Sequence, residues 1–230
     1  MLIPERMRRL VICMLLAACA TESESELAPS GPVEQGKGDG FCPTVPARIA
    51  PTTLPDYSCG RLNAVNGTIM ADVNRFWASN VVGCACGPDF PEGCIGAWSR
   101  MTTGYVWIGE DFLATFNASG SYMPAEYAIS HEFGHEIQGH YNALAPTTQQ
   151  RELTADCLAG YYLGSHVCRG TATQQDLIAT LATACLIADG TGNPITDLNT
   201  HGTCQQRMQA VTAGIEAYLT GALPLTACLL

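Results

Sequence analysis

The segment His131-Glu132-Phe133-Gly134-His135 constrains this chain more than any other, because its spacing has chemical meaning only on a helix. Residues four apart share a helix face, so His131 and His135 can offer imidazole nitrogens to one tetrahedral Zn²⁺ with Glu132 beside it. Zinc lowers the pKa of a water towards ~7, and a neighbouring carboxylate can then take its proton as attack on a carbonyl begins. An amphipathic helix with two histidines on its polar face would carry the same five residues, so the flanking sequence has to decide. Ser121 offers a capping hydroxyl, Pro124 suits a first helical turn, and Ala128, Ile129, Phe133 and Ile137 form a candidate buried stripe. Gly134 costs a helix about 1 kcal/mol, which is tolerable where another backbone or a substrate comes close. Gly139 marks the expected helix end.

Two histidines hold zinc weakly, and the third ligand has two candidates. Extension of the motif to H-E-x-x-H-x-x-G-x-x-H would need Gly at 138 and His at 141, where this chain has Gln138 and Tyr141. His140 lies five residues from His135 and points away from the zinc face, so it reads as a solvated helix-end histidine. Glu152 is the better candidate. It opens a second predicted helix after Pro146, with Thr147 and Thr148 as capping hydroxyls, and it shares a face with Asp156. One of these carboxylates can bind zinc while the other accepts the free N–H of a ligating imidazole.

Three stretches in this order, His131 to His135, Glu152-Leu153-Thr154-Ala155-Asp156-Cys157-Leu158-Ala159-Gly160 and His201-Gly202-Thr203-Cys204-Gln205-Gln206-Arg207, resemble the neutral zinc metallopeptidases of bacteria, a gluzincin-type family. The resemblance runs from about Tyr105 to Leu219. It implies His131, His135 and Glu152 as metal ligands, Glu132 as general base, and Asp156 as a hydrogen-bond partner of His131. The third stretch offers a donor for the oxyanion of hydrolysis, with His201 as the candidate. Arg207 is the alternative, or it pairs with an acid of the domain.

The chain departs from the family pattern between Val81 and Cys94, which reads as a turn-rich, cysteine-rich insertion. Tyr105-Val106-Trp107-Ile108-Gly109 reads as a short strand, and a strand ahead of the zinc helix in zincin-type folds commonly pairs with extended substrate.

Residues 1–18 have a basic start, Arg6-Met7-Arg8-Arg9, and then the apolar run from Leu10 to Ala18, the pattern of a signal peptide. Leu16-Ala17-Ala18-Cys19 resembles the bacterial lipobox, which makes Cys19 the expected lipidated N-terminus of an exported envelope lipoprotein; plain secretion is the alternative. Residues 19–40 are too polar to bury a core and read as a flexible tether, leaving one domain over 41–230. Of twelve cysteines, ten remain beyond Cys13 and Cys19. An even number in an exported chain favours disulfides that brace loops, with Cys84-Ala85-Cys86 and Cys94 as a less favoured second metal site.

The net charge of −10 makes nucleic acid an unsuitable partner. Thr173 to Ala188 and Cys204 to Leu219 have helical apolar spacing and are expected in the core, the first through Leu177, Ile178, Leu181, Cys185 and Leu186. The expected architecture is α+β, a mainly helical zincin-like domain with a small sheet beside the zinc helix. The expected function is peptide-bond hydrolysis with one Zn²⁺, a peptide or protein substrate and a lipid-anchored location. The rival is a non-catalytic envelope lipoprotein of the same fold. An intact Glu132 argues against it, since a purely structural zinc site closes its coordination shell.

Overall fold

A four-stranded sheet and a set of packed helices make up the computed structural model, which describes residues 49–51, 59–86, 96–117, 120–141, 145–189 and 201–228. The expected signal peptide, Cys19 and the tether lie outside the described residues, as does Cys94. The helical content with one small mixed sheet agrees with an α+β domain.

The sheet consists of β1 (Cys59–Gly60), β2 (Val82–Cys86), β3 (Ala97–Ser99) and β4 (Tyr105–Ile108), in the order β1-β2-β4-β3. The expected strand at Tyr105 forms, but it is interior: β2 runs parallel along one side of it, and β3 antiparallel along the other. All four residues of β4 are buried, so both faces of this strand are covered, and such a strand can be apolar throughout. The expectation that this strand pairs with substrate is therefore corrected, because both its hydrogen-bonding edges are taken. Val82 to Cys86 also corrects the reading of an insertion, since this stretch is a strand in register with β4. Its central Cys84 is fully buried and bonded to Cys59, so Cys84 is unavailable to the second metal site considered from the sequence.

Seven helices follow from the remaining described sequence: α1 (Ala64–Phe76), α2 (Glu110–Asn117), α3 (Met123–His140), α4 (Thr148–Arg169), α5 (Gln174–Leu186), α6 (Cys204–Thr220) and α7 (Pro224–Cys228). Helix α3 is the helix expected around the histidine motif. Pro124 stands in its first turn, the Ser121 hydroxyl accepts from the Met123 N–H at 3.2 Å, and Ala128, Ile129, Phe133 and Ile137 are buried. Helix α4 starts from a reciprocal cap, in which Thr147 and Gln150 satisfy each other's backbone N–H, and stops at Gly170 in the left-handed region.

Helices α4 and α6 cross at very short range. A Cβ on Gly160 would lie 2.1 Å from the Val211 carbonyl oxygen, and one on Gly214 would lie 1.9 Å from that of Cys157. Only glycine permits this approach, and it carries side chains from the start of α6 into the space beside α4. The disulfides Cys157–Cys228 and Cys185–Cys204 fasten α4 to α7 and the end of α5 to the start of α6, and Cys168 is also disulfide-bonded. The bridges thus join helices as well as bracing loops.

Helix α5 corrects the expected apolar stripe. Ile178 and Leu186 are exposed, while the buried face is Thr180, Leu181, Thr183 and Ala184. The threonine hydroxyls donate to the carbonyls of Asp176 and Ala179, each at 2.9 Å, so their polar atoms are satisfied locally and their methyl groups can be buried.

Candidate metal centre

His131 and His135 lie one turn apart on α3, and Glu152 faces them from the second turn of α4. One donor atom from each falls within 4.8 Å of the other two, the one such group of His, Cys, Asp and Glu among the described residues. His131 Nε2 is 3.1 Å from Glu152 Oε2, and His135 Nε2 is 3.4 Å from Glu152 Oε1. Both imidazoles turn the same ring nitrogen towards one carboxylate. This is the geometry of two neutral ligands and one anionic ligand converging on a single cation.

The opposite ring nitrogens are held by other residues. His131 Nδ1 lies 2.8 Å from Asp156 Oδ1, the contact expected for Asp156. Gln138 approaches His135 Nδ1 at 3.3 Å and donates to the Arg151 carbonyl at 3.0 Å. Asp156 is fully buried and would be costly to ionise without partners. It has them: Arg207 donates to both its oxygens, from Nε at 2.9 Å and Nη2 at 2.8 Å, and the Tyr127 hydroxyl donates to Oδ1 at 2.6 Å. Arg207 also donates from Nη1 to the Ile187 carbonyl at 2.9 Å. Of the roles left open for Arg207, pairing with an acid of the domain is the one this geometry displays.

These neighbours shift the proton equilibria. Burial by itself would lower the His131 pKa, but the Asp156 charge and hydrogen bond, with Glu152 behind them, push it up to about 10. Burial would raise Glu152, yet the hydrogen bonds of His131 and His135 hold it well below the usual carboxylate range. Asp156 is likewise lowered against the cost of burial, first by Arg207 and then by His131. Glu132 is pushed up to about 7, because burial outweighs the pull of the two histidines. In metal-free protein a proton on His131 therefore serves as the cation between two carboxylates, at the place where a metal would bind.

His201 sits in a turn rather than in this cluster. Its backbone N–H and that of Gly202 donate to Asp189 Oδ2 at 3.0 and 2.7 Å, and its Nδ1 is 3.7 Å from Asp189 Oδ1. The turn rests on α4, with the Leu153 side chain 3.2 Å from where a Gly202 Cβ would be. His140 is exposed, as expected for a helix-end histidine. Cys19 lies outside the described residues.

Three residues here were given no part in the site by the sequence. Tyr127 and Gln138 stand one helical turn from His131 and His135, a spacing that points to them once the ligands are known. Glu136 gives less warning. It is fully buried next to His135 and accepts from the Ser99 hydroxyl at 2.6 Å and the Gly104 N–H at 2.8 Å, so it fastens the metal helix to the β3–β4 turn.

Comparison with known families gives a match over residues 75–221 to the family described as "Putative neutral zinc metallopeptidase". The chain belongs to this family. The match takes in both histidines, Glu152, Arg207 and the segment between Val81 and Cys94. Among curated proteins, uncharacterized proteins of Mycobacterium bovis and Mycobacterium tuberculosis are similar to this neutral zinc metallopeptidase family member, at 28% identity over 173 residues, 62% of this chain and 57% of theirs. The chain thus spans just over half the length of the curated relatives it matches. No solved structure matches it. The donor set suits the zinc that the family name implies: two imidazoles and one carboxylate, with Asp156 placed to accept from the far nitrogen of His131.

Proposed function

We propose that this chain is a zinc-dependent endopeptidase in which His131, His135 and Glu152 hold one Zn²⁺. The observation that carries the proposal is the convergence of these three donors next to Glu132 on the same helix. Bound there, zinc supplies a Lewis acid that polarises a carbonyl and makes water acidic. Glu132 accepts the proton of the attacking water and returns it to the leaving nitrogen, a transfer favoured when its pKa lies near the working pH. Asp156 keeps a proton on His131 Nδ1 and so directs Nε2 towards the metal. His201, in its turn beside Leu153, donates to the oxyanion. With β4 enclosed, an extended peptide adds along β3, the last strand of the sheet among the described residues, which Glu136 fastens to the metal helix.

The decisive experiment measures bound zinc and cleavage of a mixed peptide library by the wild type and Glu132→Gln. The variant should retain zinc and lose at least ~10²-fold in turnover, the usual scale for a general base. Persistent cleavage by the variant would overturn the mechanism, and a zinc-loaded wild type that cleaves nothing would favour a binding role. His201→Ala should cost ~10² in rate.

The protein is further proposed to be an exported lipoprotein anchored through Cys19. The basic and apolar start, the residues before Cys19 and the disulfides of the domain support this reading. Mass spectrometry of the mature N-terminus tests it: a diacylglyceryl Cys19 is expected, and an unmodified N-terminus at another residue would exclude the anchor.

A further inference from the structure

The third sequence stretch, from His201 to Arg207, enters the proposed mechanism only through His201, yet its one buried charged side chain is that of Arg207. The Arg207 side chain is 1% exposed, and the Asp156 side chain it meets is fully buried. An arginine is expensive to bury, and here every neighbour acts on a single carboxylate or holds the arginine in place. Its Nε and Nη2 grip both Asp156 oxygens, Nη2 also lies 3.2 Å from the Tyr127 hydroxyl, and Nη1 is tied to the Ile187 carbonyl. The rest of the stretch holds α6 in position for this grip. Thr203 and Gln206 form a reciprocal cap at its start, Gln149 of α4 donates to Gln206 at 3.3 Å, and Cys204 is bonded to Cys185.

We infer that Arg207 is a positioning residue of the metal centre, acting through Asp156 on His131. This rests on the zinc site proposed above. The physical reason is geometric. A carboxylate free to rotate could present either oxygen, or neither, to His131 Nδ1. The planar guanidinium fork fixes the carboxylate plane, and Tyr127 shares Oδ1 with the imidazole, so Asp156 has one orientation. That orientation sets which His131 nitrogen carries the proton and therefore which one faces the metal. Lysine would keep the charge but not the fork. Arg207 Nη2 itself lies 3.5 Å from His131 Nδ1, whereas the Asp156 oxygen between them is 2.8 Å from each, so the main link runs from guanidinium through carboxylate to imidazole.

The test uses the full chain with its disulfides intact and measures zinc affinity by chelator competition, together with thermal unfolding of the metal-free protein. Arg207→Lys should bind zinc ~10-fold or more weakly, the scale on which outer partners of metal ligands act. In an Asp156→Ala background the same substitution should add little, because the group that joins Arg207 to His131 is gone. Tyr127→Phe, which removes one donor to Asp156 at almost constant volume, should show a smaller loss and the same dependence on Asp156, and it serves if the Arg207 variant does not fold. Wild-type zinc affinity in both Arg207→Lys and Tyr127→Phe would overturn the inference, as would effects that multiply independently of Asp156. A wild type that binds no zinc would instead overturn the metal-site reading itself.

Discussion

Gly134 of α3 stands against Ala155 of α4: a Cβ at 134 would lie 3.0 Å from both the Ala155 Cα and its carbonyl oxygen. The glycine between the two histidines is therefore the point where the helices touch. Glu152 and Asp156 lie on either side of Ala155, so the contact also sets how far the carboxylates stand from the imidazoles. Gly134→Ala should gain in helix propensity but force the helices apart, with a net loss of about 1–3 kcal/mol typical of overpacking. Zinc affinity should fall with it. Thermal unfolding and chelator competition measure the two effects, and a variant more stable than wild type with unchanged zinc binding would show that the helices yield freely.

Glu132 gives metal-free protein a pH dependence with a definite sign. Its folded pKa of about 7 exceeds the ordinary 4.5, so between these values the folded state binds more protons than the unfolded state. Its contribution to stability is fully present below about 4.5 and is lost as pH rises through about 7. Glu132→Gln imitates the protonated acid and should remove this loss. Denaturant unfolding of metal-free wild type and variant at several pH values checks it: the difference in stability should grow from pH 4.5 to 7 in favour of glutamine.

Glu136 is expected to matter to both stability and substrate. Replacement by alanine leaves the buried Gly104 N–H and the Ser99 hydroxyl without their acceptor, a cost of about 1–3 kcal/mol. If peptide adds to β3, the looser turn should raise KM more than it lowers kcat, while zinc content stays stoichiometric. Steady-state kinetics on a cleaved peptide, together with metal analysis, separates these effects.

The Cys185–Cys204 bridge holds the two segments that Arg207 joins, since Cys204 lies one turn before Arg207 and Cys185 two residues before Ile187. Loss of the bridge in Cys185→Ser/Cys204→Ser should destabilise the fold by about 2–4 kcal/mol, the range for a loop of this size. Zinc affinity should also fall, because α6 is held less firmly. Chelator competition with the double variant below its unfolding temperature tests the second effect separately from the first.

Much of the centre could be read from spacing. Periodicity and caps gave α3 close to its observed limits and α4 at its start, because helical repeats and capping residues act within a few positions, while the run of α4 on to Arg169 was not read. The donor atoms of His131, His135 and Glu152 converge, and Asp156 lies against His131, the partner the resemblance implied for it. Strand order was not legible. Whether Tyr105 to Ile108 lies at an edge depends on Val82 to Cys86 pairing with it across more than twenty residues, and the Gly and Cys residues of that stretch carry a turn-like composition. The exposed side of α5 was hidden for a similar reason, since threonine reads as polar until its hydroxyl is seen bonded to its own helix.

The sequence by itself determined the chemical inventory: two imidazoles on one helix face, a carboxylate beside them, and two further carboxylates one turn apart on a second helix. These follow from the 3.6-residue repeat, which needs no knowledge of distant contacts. Only the tertiary structure decided what completes the site. Arg207 and Tyr127 meet Asp156 beside the close crossings at Gly134, Gly160 and Gly214, where backbones nearly touch, and Glu136 meets Ser99 and Gly104 where α3 packs on the sheet. A buried charge reveals its partner only when packing brings the two together, so the anchoring of Asp156 belongs to the fold rather than to any motif.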